Sequence, residues 1–407
     1  MLDSFIKTHL QISTYQNLPF RRYLYEQVNW QARAIAIIGA RGVGKTTMLF
    51  QYAQANFADP AKCLYVLGDD TDLLQVGLPS LVEQFSMLGG QVLMIDEIHK
   101  YPNWAQIVKN IYDKYPGLRL IISGSSQIDI KREKYDLSRR LTTYTLPGLS
   151  VREFVNWETG SEFTPFKLAD LLTDPLACSR QIVDQVASLN REKIIQLFKQ
   201  YLEYGYYPYY RESRQDFQSK LRNAMDKVLY EDIPVVNDLT TNSVVILKKI
   251  LALIGSRQPF EVDITSMANT LQITRPTVYA YLDYLTDAEL LIQAHPAGTG
   301  KRLVRKPAKL YLQNPNLYQM AGNLLGYQSK SGTIREAFAI NQLSTGHRVA
   351  VPKQGDFLVD EKYTLEIGGA HKKDTQLKGL ANGYLVCDDL EYGFEHKIPL
   401  YLLGFLY

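Results

Sequence analysis

The sequence predicts an α/β protein whose first third is a parallel sheet covered by helices on both faces. Three observations carry that expectation. Between Arg33 and about Ser150, short aliphatic and β-branched runs alternate with amphipathic stretches, the pattern of buried parallel strands joined by crossover helices. The first run ends directly in a glycine-rich turn, Gly39-Ala-Arg-Gly-Val-Gly, which leads into a helical stretch. After about Val151 the strand pattern gives way to three- and four-residue apolar spacing, the period of amphipathic helices.

The elements follow in order. Arg33–Gly39, Cys63–Leu67, Val92–Ile95, Leu118–Ile122 and Thr142–Leu146 are expected as strands, with helices at Thr47–Asn56 and Trp104–Tyr115 among the connections. Gln181–Tyr204 and Phe217–Tyr230 read as helices. The aromatic run from Tyr204 to Tyr210 is expected to pack in a core. Ser243–Ile292 reads as three helices, the last two (Ile264–Leu271 and Arg275–Leu290) joined by Gln272-Ile-Thr in the manner of a helix-turn-helix. The basic stretch Lys301–Lys309 and the apolar Leu310-Tyr-Leu would add the strand pair of a winged helix. The last part combines a helix at Arg335–Leu343 with strands at Asp356–Val359, Tyr363–Ile367, Tyr384–Val386 and Ile398–Leu403. The expected domains are residues 1–150, 151–240 (helical), 241–312 (winged-helix-like) and 313–407.

Bulk properties exclude several classes. A chain of 407 residues suggests two to four domains, and 46% hydrophobic with 21% charged residues is globular rather than disordered. Lys+Arg 45 against Asp+Glu 42 leaves a net charge of +3, so any basic surface must be local. Cys63, Cys178 and Cys387 are far apart and in no metal-ligand spacing, which points away from a disulfide framework and toward a reducing compartment. No run of eighteen apolar residues occurs and the N-terminal stretch lacks the apolar core of a signal peptide. A cytoplasmic location with no membrane partner is therefore expected.

The chemistry concentrates in the first third. Gly39-Ala40-Arg41-Gly42-Val43-Gly44-Lys45-Thr46, followed by Thr47, fits G-x-x-x-x-G-K-[ST] between a strand and a helix. Glycines let backbone N–H groups turn inward around phosphate oxygens, and a helix N-terminus offers further N–H groups to the same anion. Lys45 is expected to reach the β- and γ-phosphates of ATP, and the Thr46 hydroxyl to bind Mg²⁺. Val92-Leu-Met-Ile-Asp96-Glu97 places two acids at a strand end, the Walker B arrangement. Asp96 would hold Mg²⁺ through water and Glu97 would polarise the attacking water. At the tip of the next strand, Ser123 and Ser125 are both candidates for the γ-phosphate or the water. Arg139 and Arg140 precede the fifth strand, where ring-forming ATPases place an arginine that enters a neighbouring subunit's site. A homo-oligomer is the corresponding expectation.

These motifs, with Ile95-Asp-Glu-Ile-His and Trp104 behind it, Ile122-Ser-Gly-Ser-Ser, and Leu146-Pro-Gly-Leu-Ser-Val-Arg-Glu-Phe, resemble the AAA-type ATP-binding proteins of bacteria and archaea that carry a C-terminal domain of unknown function. Arg335-Glu-Ala-Phe, Gly355-Asp-Phe-Leu-Val and Glu366-Ile-Gly-Gly match that C-terminal part. The resemblance covers nearly the whole chain and implies an AAA-type P-loop sheet. Arg140 matches the family's arginine before the fifth strand, but Arg139 stands where the family usually has glycine. Which arginine acts stays open.

The C-terminal part further resembles a degenerate PD-(D/E)xK nuclease fold, a small α/β domain. Asp356 and Glu366 stand at the acidic positions, and Glu336 is a further candidate acid. The lysine position two residues after Glu366 is Gly368, while Lys372 and Lys373 lie beyond the expected strand. The expectation is a module that does not cut. Three functions compete: an ATPase whose nucleotide state controls binding of a partner, with double-stranded DNA as a candidate; a nucleotide-gated nuclease; and a protein-binding scaffold or signalling ATPase. Arg275, Thr277 and Tyr279 at the start of the last helix could meet a DNA groove. Asp283, Asp287 and Glu289 on the same helix argue against it.

Overall fold

The computed structural model describes residues 2–15, 19–124, 137, 139–189, 192–237, 239–256, 260–298, 307–325 and 330–407. The chain forms two compact units, Met1–Pro147 and Gly148–Tyr407.

In the first unit, β1 (Ala34–Ile38), β2 (Cys63–Leu67), β3 (Val92–Asp96), β4 (Arg119–Gly124) and β5 (Thr142–Thr145) form one parallel sheet in the order β2-β3-β4-β1-β5. All residues of β1 and β3 are buried, as continuous aliphatic runs should be when helices cover both faces. The order seats β4 between β3 and β1, pairing Ile37 with Ser123 and Ile95 with Ile122. The carboxyl ends of three adjacent strands therefore converge, which is where open α/β sheets bind ligands. The helix Leu2–Tyr15 lies along β2, and His9 Nδ1 accepts the Tyr65 N–H at 3.1 Å. Burial lowers the pKa of His9, which keeps the ring neutral and able to accept.

The second unit opens with helices, among them Val151–Thr159, Pro175–Ser188 and Ile194–Gln200. The helix expected over Gln181–Tyr204 is thus two helices. A new start at Lys193, whose N–H donates to the Gln196 side chain at 3.1 Å, interrupts a stretch whose apolar spacing reads as continuous. The second helix runs into a π-turn at Tyr201–Gly205. Tyr206, Tyr207 and Tyr210 are buried, so these members of the aromatic run serve packing; Tyr210 also donates to Glu158 at 2.7 Å.

Thr241–Gly255, Ile264–Leu271 and Arg275–Asp287 are helices, and β6 (Phe260–Glu261), β7 (Leu291–Ala294) and β8 (Lys309–Leu312) form an antiparallel sheet in the order β6-β8-β7. Asp263 and Thr274 cap the second and third helices, and Gln272 turns the chain between them with φ 55°. Residues 301–306 of the expected basic stretch, including Lys301 and Arg302, lie outside the described residues.

The C-terminal sheet has the order β13-β12-β11-β10-β9, from β9 (Val349–Ala350), β10 (Phe357–Val359), β11 (Tyr363–Gly368), β12 (Gly383–Cys387) and β13 (Lys397–Pro399). The pairs β9–β10 and β10–β11 are antiparallel, and β11–β12 and β12–β13 parallel. The strand expected at Ile398–Leu403 ends at Pro399. Leu400–Phe405 is a 3₁₀ helix with all six residues buried, because an apolar run without alternation fits a buried helix as well as a strand. Among the described residues, no helix is long and apolar enough to cross a membrane.

Candidate functional site

The turn after β1 is shaped by Gly42 and Gly44, whose φ values of 84° and 99° lie where side chains are strained. Gly44 directly precedes the helix Lys45–Asn56, so the loop runs into a helix N-terminus, the kind of element that binds anions. Lys45 is buried and donates to the carbonyls of Gly39 at 2.8 Å and Ala40 at 2.9 Å. A Cβ on Gly39 would strike the carbonyl of Leu146, so only glycine fits there. Arg22 braces the loop from behind, donating to the carbonyls of Val43 at 2.6 Å and Pro147 at 2.8 Å.

The Asp96 carboxylate is the meeting point of the sheet ends. Oδ2 accepts from the Thr46 hydroxyl at 2.5 Å and the Tyr65 hydroxyl at 2.9 Å. Oδ1 accepts from the Ser123 hydroxyl and from the Glu97 N–H at 3.0 Å. Strands β2, β3 and β4 and the helix after the loop thereby share one buried carboxylate. Burial, reinforced by Asp96, pushes the Tyr65 hydroxyl well above its ordinary pKa, so it remains a donor.

With its proton given to Asp96, the Thr46 oxygen still has lone pairs to offer. Hydroxyl and carboxylate oxygens together are a donor set suited to Mg²⁺. The glycine turn, the helix start and Lys45 suit a polyphosphate.

Glu97 adopts φ 51°, a left-handed conformation that costs a non-glycine residue about 1–3 kcal/mol. Arg41, His99 and Lys100 lie 3.6, 3.7 and 3.8 Å from its Oε2. Two cations, Arg41 and Lys100, thus flank the carboxylate. Thr47 is half-buried on the helix Lys45–Asn56. Arg140 forms a two-pronged pair with Asp113 of its own chain, at 2.9 and 3.1 Å, whereas Arg139 is exposed. Ser125 lies outside the described residues.

Residues 31–155 match the profile of the AAA domain. Residues 31–155 therefore carry an AAA-type domain. A second profile, a domain of unknown function, matches residues 195–329. An uncharacterized protein of Methanocaldococcus jannaschii is 26% identical over 330 residues, covering 76% of this chain and 68% of its own length. Two solved structures share 12% and 13% identity. The Orc1 protein of Aeropyrum pernix in complex with DNA has TM-score 0.31, covering 77% of this chain and 91% of its own. AMPPCP-bound DnaA from Aquifex aeolicus has TM-score 0.26, covering 69% and 88%.

The second unit holds a separate charged cluster. Lys309 of β8 donates to Glu336 Oε2 and to Asp356 Oδ1, both at 3.0 Å. The Tyr311 hydroxyl donates to Glu336 at 2.6 Å and the Ile367 N–H to Asp356 at 2.9 Å. Glu366 is buried and pairs with Lys372 at 2.7 Å. The Lys372 methylenes cross Gly368, filling the space a Cβ would take there. So although position 368 supplies no amine, Lys372 returns from beyond the strand to reach Glu366.

Sequence reasoning missed Tyr65, Arg22 and Lys309. A hydroxyl inside the otherwise aliphatic Cys63–Leu67 run was the available signal for Tyr65; Arg22 and Lys309 gave none, because their partners are distant in sequence. Arg22→Ala should leave two loop carbonyls without these bonds and destabilise the AAA-domain unit by about 1.5–3 kcal/mol. Urea unfolding of the full chain, followed through Trp30 and Trp104 fluorescence, checks this. An unchanged midpoint contradicts the bracing role.

Proposed function

We propose that the chain is an ATPase that binds Mg²⁺ and ATP on the loop Gly39–Thr47 and couples nucleotide state to a partner. The carrying observation is the Asp96 carboxylate, tied to Thr46 at 2.5 Å and to Ser123, beside a glycine turn that presents Lys45. Thr46 and Asp96 would hold Mg²⁺, which supplies charge compensation for the phosphates. Lys45 exchanges its loop carbonyls for phosphate oxygens. Ser123 fixes the second oxygen of Asp96. Glu97, with Arg41 and Lys100 at 3.6 and 3.8 Å from its Oε2, takes the proton of the attacking water.

Lys45→Ala should weaken ATP binding by roughly 10–100-fold, the value of charge-assisted bonds to the phosphates. Glu97→Gln should retain binding and lose about 10²–10⁴-fold in turnover, the range of general-base catalysis. Nucleotide titration and phosphate release measured on both variants check this. Undiminished turnover in Glu97→Gln removes the role assigned to Glu97.

A homo-oligomer completed by an arginine in trans is part of the proposal. The exposed Arg139 is the better candidate, since Arg140 is held by Asp113. Mixing inactive Lys45→Ala and Arg139→Ala chains should restore part of the hydrolysis. Recovery with Arg140→Ala in place of Arg139→Ala would reverse the assignment, and recovery with neither would dismiss a trans arginine.

For the partner, the helix pair and three-stranded sheet at residues 241–312 have the element order of a winged helix, with Arg275 exposed at the start of the third helix. Of the acids expected to repel DNA, Glu289 is buried, whereas Asp283 is exposed and Asp287 half-buried. Duplex DNA is the partner proposed on the element order and the exposed Arg275. Arg275→Glu should then lower duplex affinity, with the deficit shrinking as salt rises. Absence of duplex binding at low salt, with or without ATP, places this module among protein-packing elements.

A further inference from the structure

The charged cluster of the second unit is unused by the nucleotide chemistry. Its carboxylates come from three elements: Glu336 from the helix Ser331–Leu343, Asp356 from the start of β10, and Glu366 from β11. Carboxylates gathered in a half-dry pocket repel one another unless a cation stands among them. Here the cation is already in place. A single ammonium, Lys309 Nζ, lies 3.0 Å from both Glu336 and Asp356, and the three side chains are only 18%, 13% and 14% exposed.

The surrounding groups add a second ammonium and an amide. Lys372 pairs with Glu366 at 2.7 Å. The Gln376 amide lies 2.9 and 3.1 Å from the two Glu366 oxygens when its NH₂ group faces them. Burial and then Asp356 push the Glu336 carboxyl above its ordinary range, against the pull of Lys309. Burial opposes the charge on Lys309, and the two carboxylates outweigh it, holding the ammonium above its ordinary pKa. Among the described residues, no group of three His, Cys, Asp or Glu is arranged to hold a metal ion.

We propose that Lys309 is a built-in cation: its ammonium substitutes for a divalent metal between Glu336 and Asp356, so the C-terminal sheet takes no metal while β8 is seated. The lysine belongs to β8 of the three-stranded sheet, and its carboxylate partners belong to the C-terminal helix and sheet. The pair is therefore also an ionic tie between those two parts of the second unit. Removal of the ammonium leaves two adjacent carboxylates with hard oxygen donors, the chemistry that captures Mg²⁺ or Mn²⁺. This inference stands independently of the nucleotide site.

The test is Mn²⁺ binding by the full-length chain without nucleotide, measured by electron paramagnetic resonance on wild type, Asp356→Asn, Lys309→Met and Lys309→Met/Asp356→Asn. Lys309→Met should bind about one Mn²⁺ per chain more than wild type, and Asp356→Asn in that background should abolish the gain. Wild-type Mn²⁺ binding that disappears in Asp356→Asn would overturn the proposal, as would a folded Lys309→Met chain with no added binding. Should Lys309→Met not fold, Lys309→Met/Glu336→Gln, which removes one charge of each sign, is expected to fold and melt near wild type. Failure of that variant to fold also overturns it.

Discussion

One carboxylate organises the first unit. Asp96 ends β3 and accepts hydrogen bonds from Thr46, Tyr65, Ser123 and the Glu97 N–H. A carboxylate has about four acceptor sites and four donors meet this one, so a cation bound here would displace one of those donors. Its donors come from the flanking strands β2 and β4, from the helix after the phosphate-loop turn, and from the next residue of the chain. Loss of any one would leave buried charge short of a partner, at a cost of about 1–3 kcal/mol. The arrangement fixes the ends of three strands relative to the glycine turn, and Glu97 follows in its strained left-handed conformation. Under the proposed ATPase function, the positioning and electrostatics that phosphoryl transfer asks of a protein both originate in this hub.

How much of this could be read in the sequence depended on how local each feature is. The turn at Gly39–Thr46 and the acids at Asp96 and Glu97 sit within short strand–turn segments, where a few adjacent residues specify the chemistry. The first four strands of the first sheet were legible because apolar runs mark strands buried on both faces, and β5 was legible from its β-branched threonines. Arg22 and Tyr65 were not, since their roles depend on contacts 21 and 31 residues away. The break between Ser188 and Ile194 escaped a reading based on apolar period, because capping at Lys193 restarts a helix with compatible spacing. Leu400–Phe405 escaped for the opposite reason: with every residue buried, no period remains to separate helix from strand.

The two carboxylate clusters solve the same electrostatic problem differently. At Asp96, neutral hydroxyls and a backbone N–H satisfy the oxygens, and Thr46 keeps lone pairs that the proposed Mg²⁺ would use. At Glu336, Asp356 and Glu366 the compensating charges are lysines already in contact. Gly368 contributes to that outcome by leaving room for the Lys372 stem. The sequence position alone suggested a missing amine, yet the fold returns one from four residues further on, paired with an acid. On the proposed function, the contrast places cation-dependent chemistry in the AAA domain and lysine-compensated packing in the C-terminal sheet.

The central claim is that the Asp96 hub is a Mg²⁺-dependent nucleotide site. Calorimetric titration of a non-hydrolysable ATP analogue into wild type and Asp96→Asn, each with and without Mg²⁺, tests it most directly. The account predicts tighter binding with Mg²⁺ in wild type and no such difference in Asp96→Asn. An equal Mg²⁺ dependence in both proteins, or no binding by wild type, would contradict it.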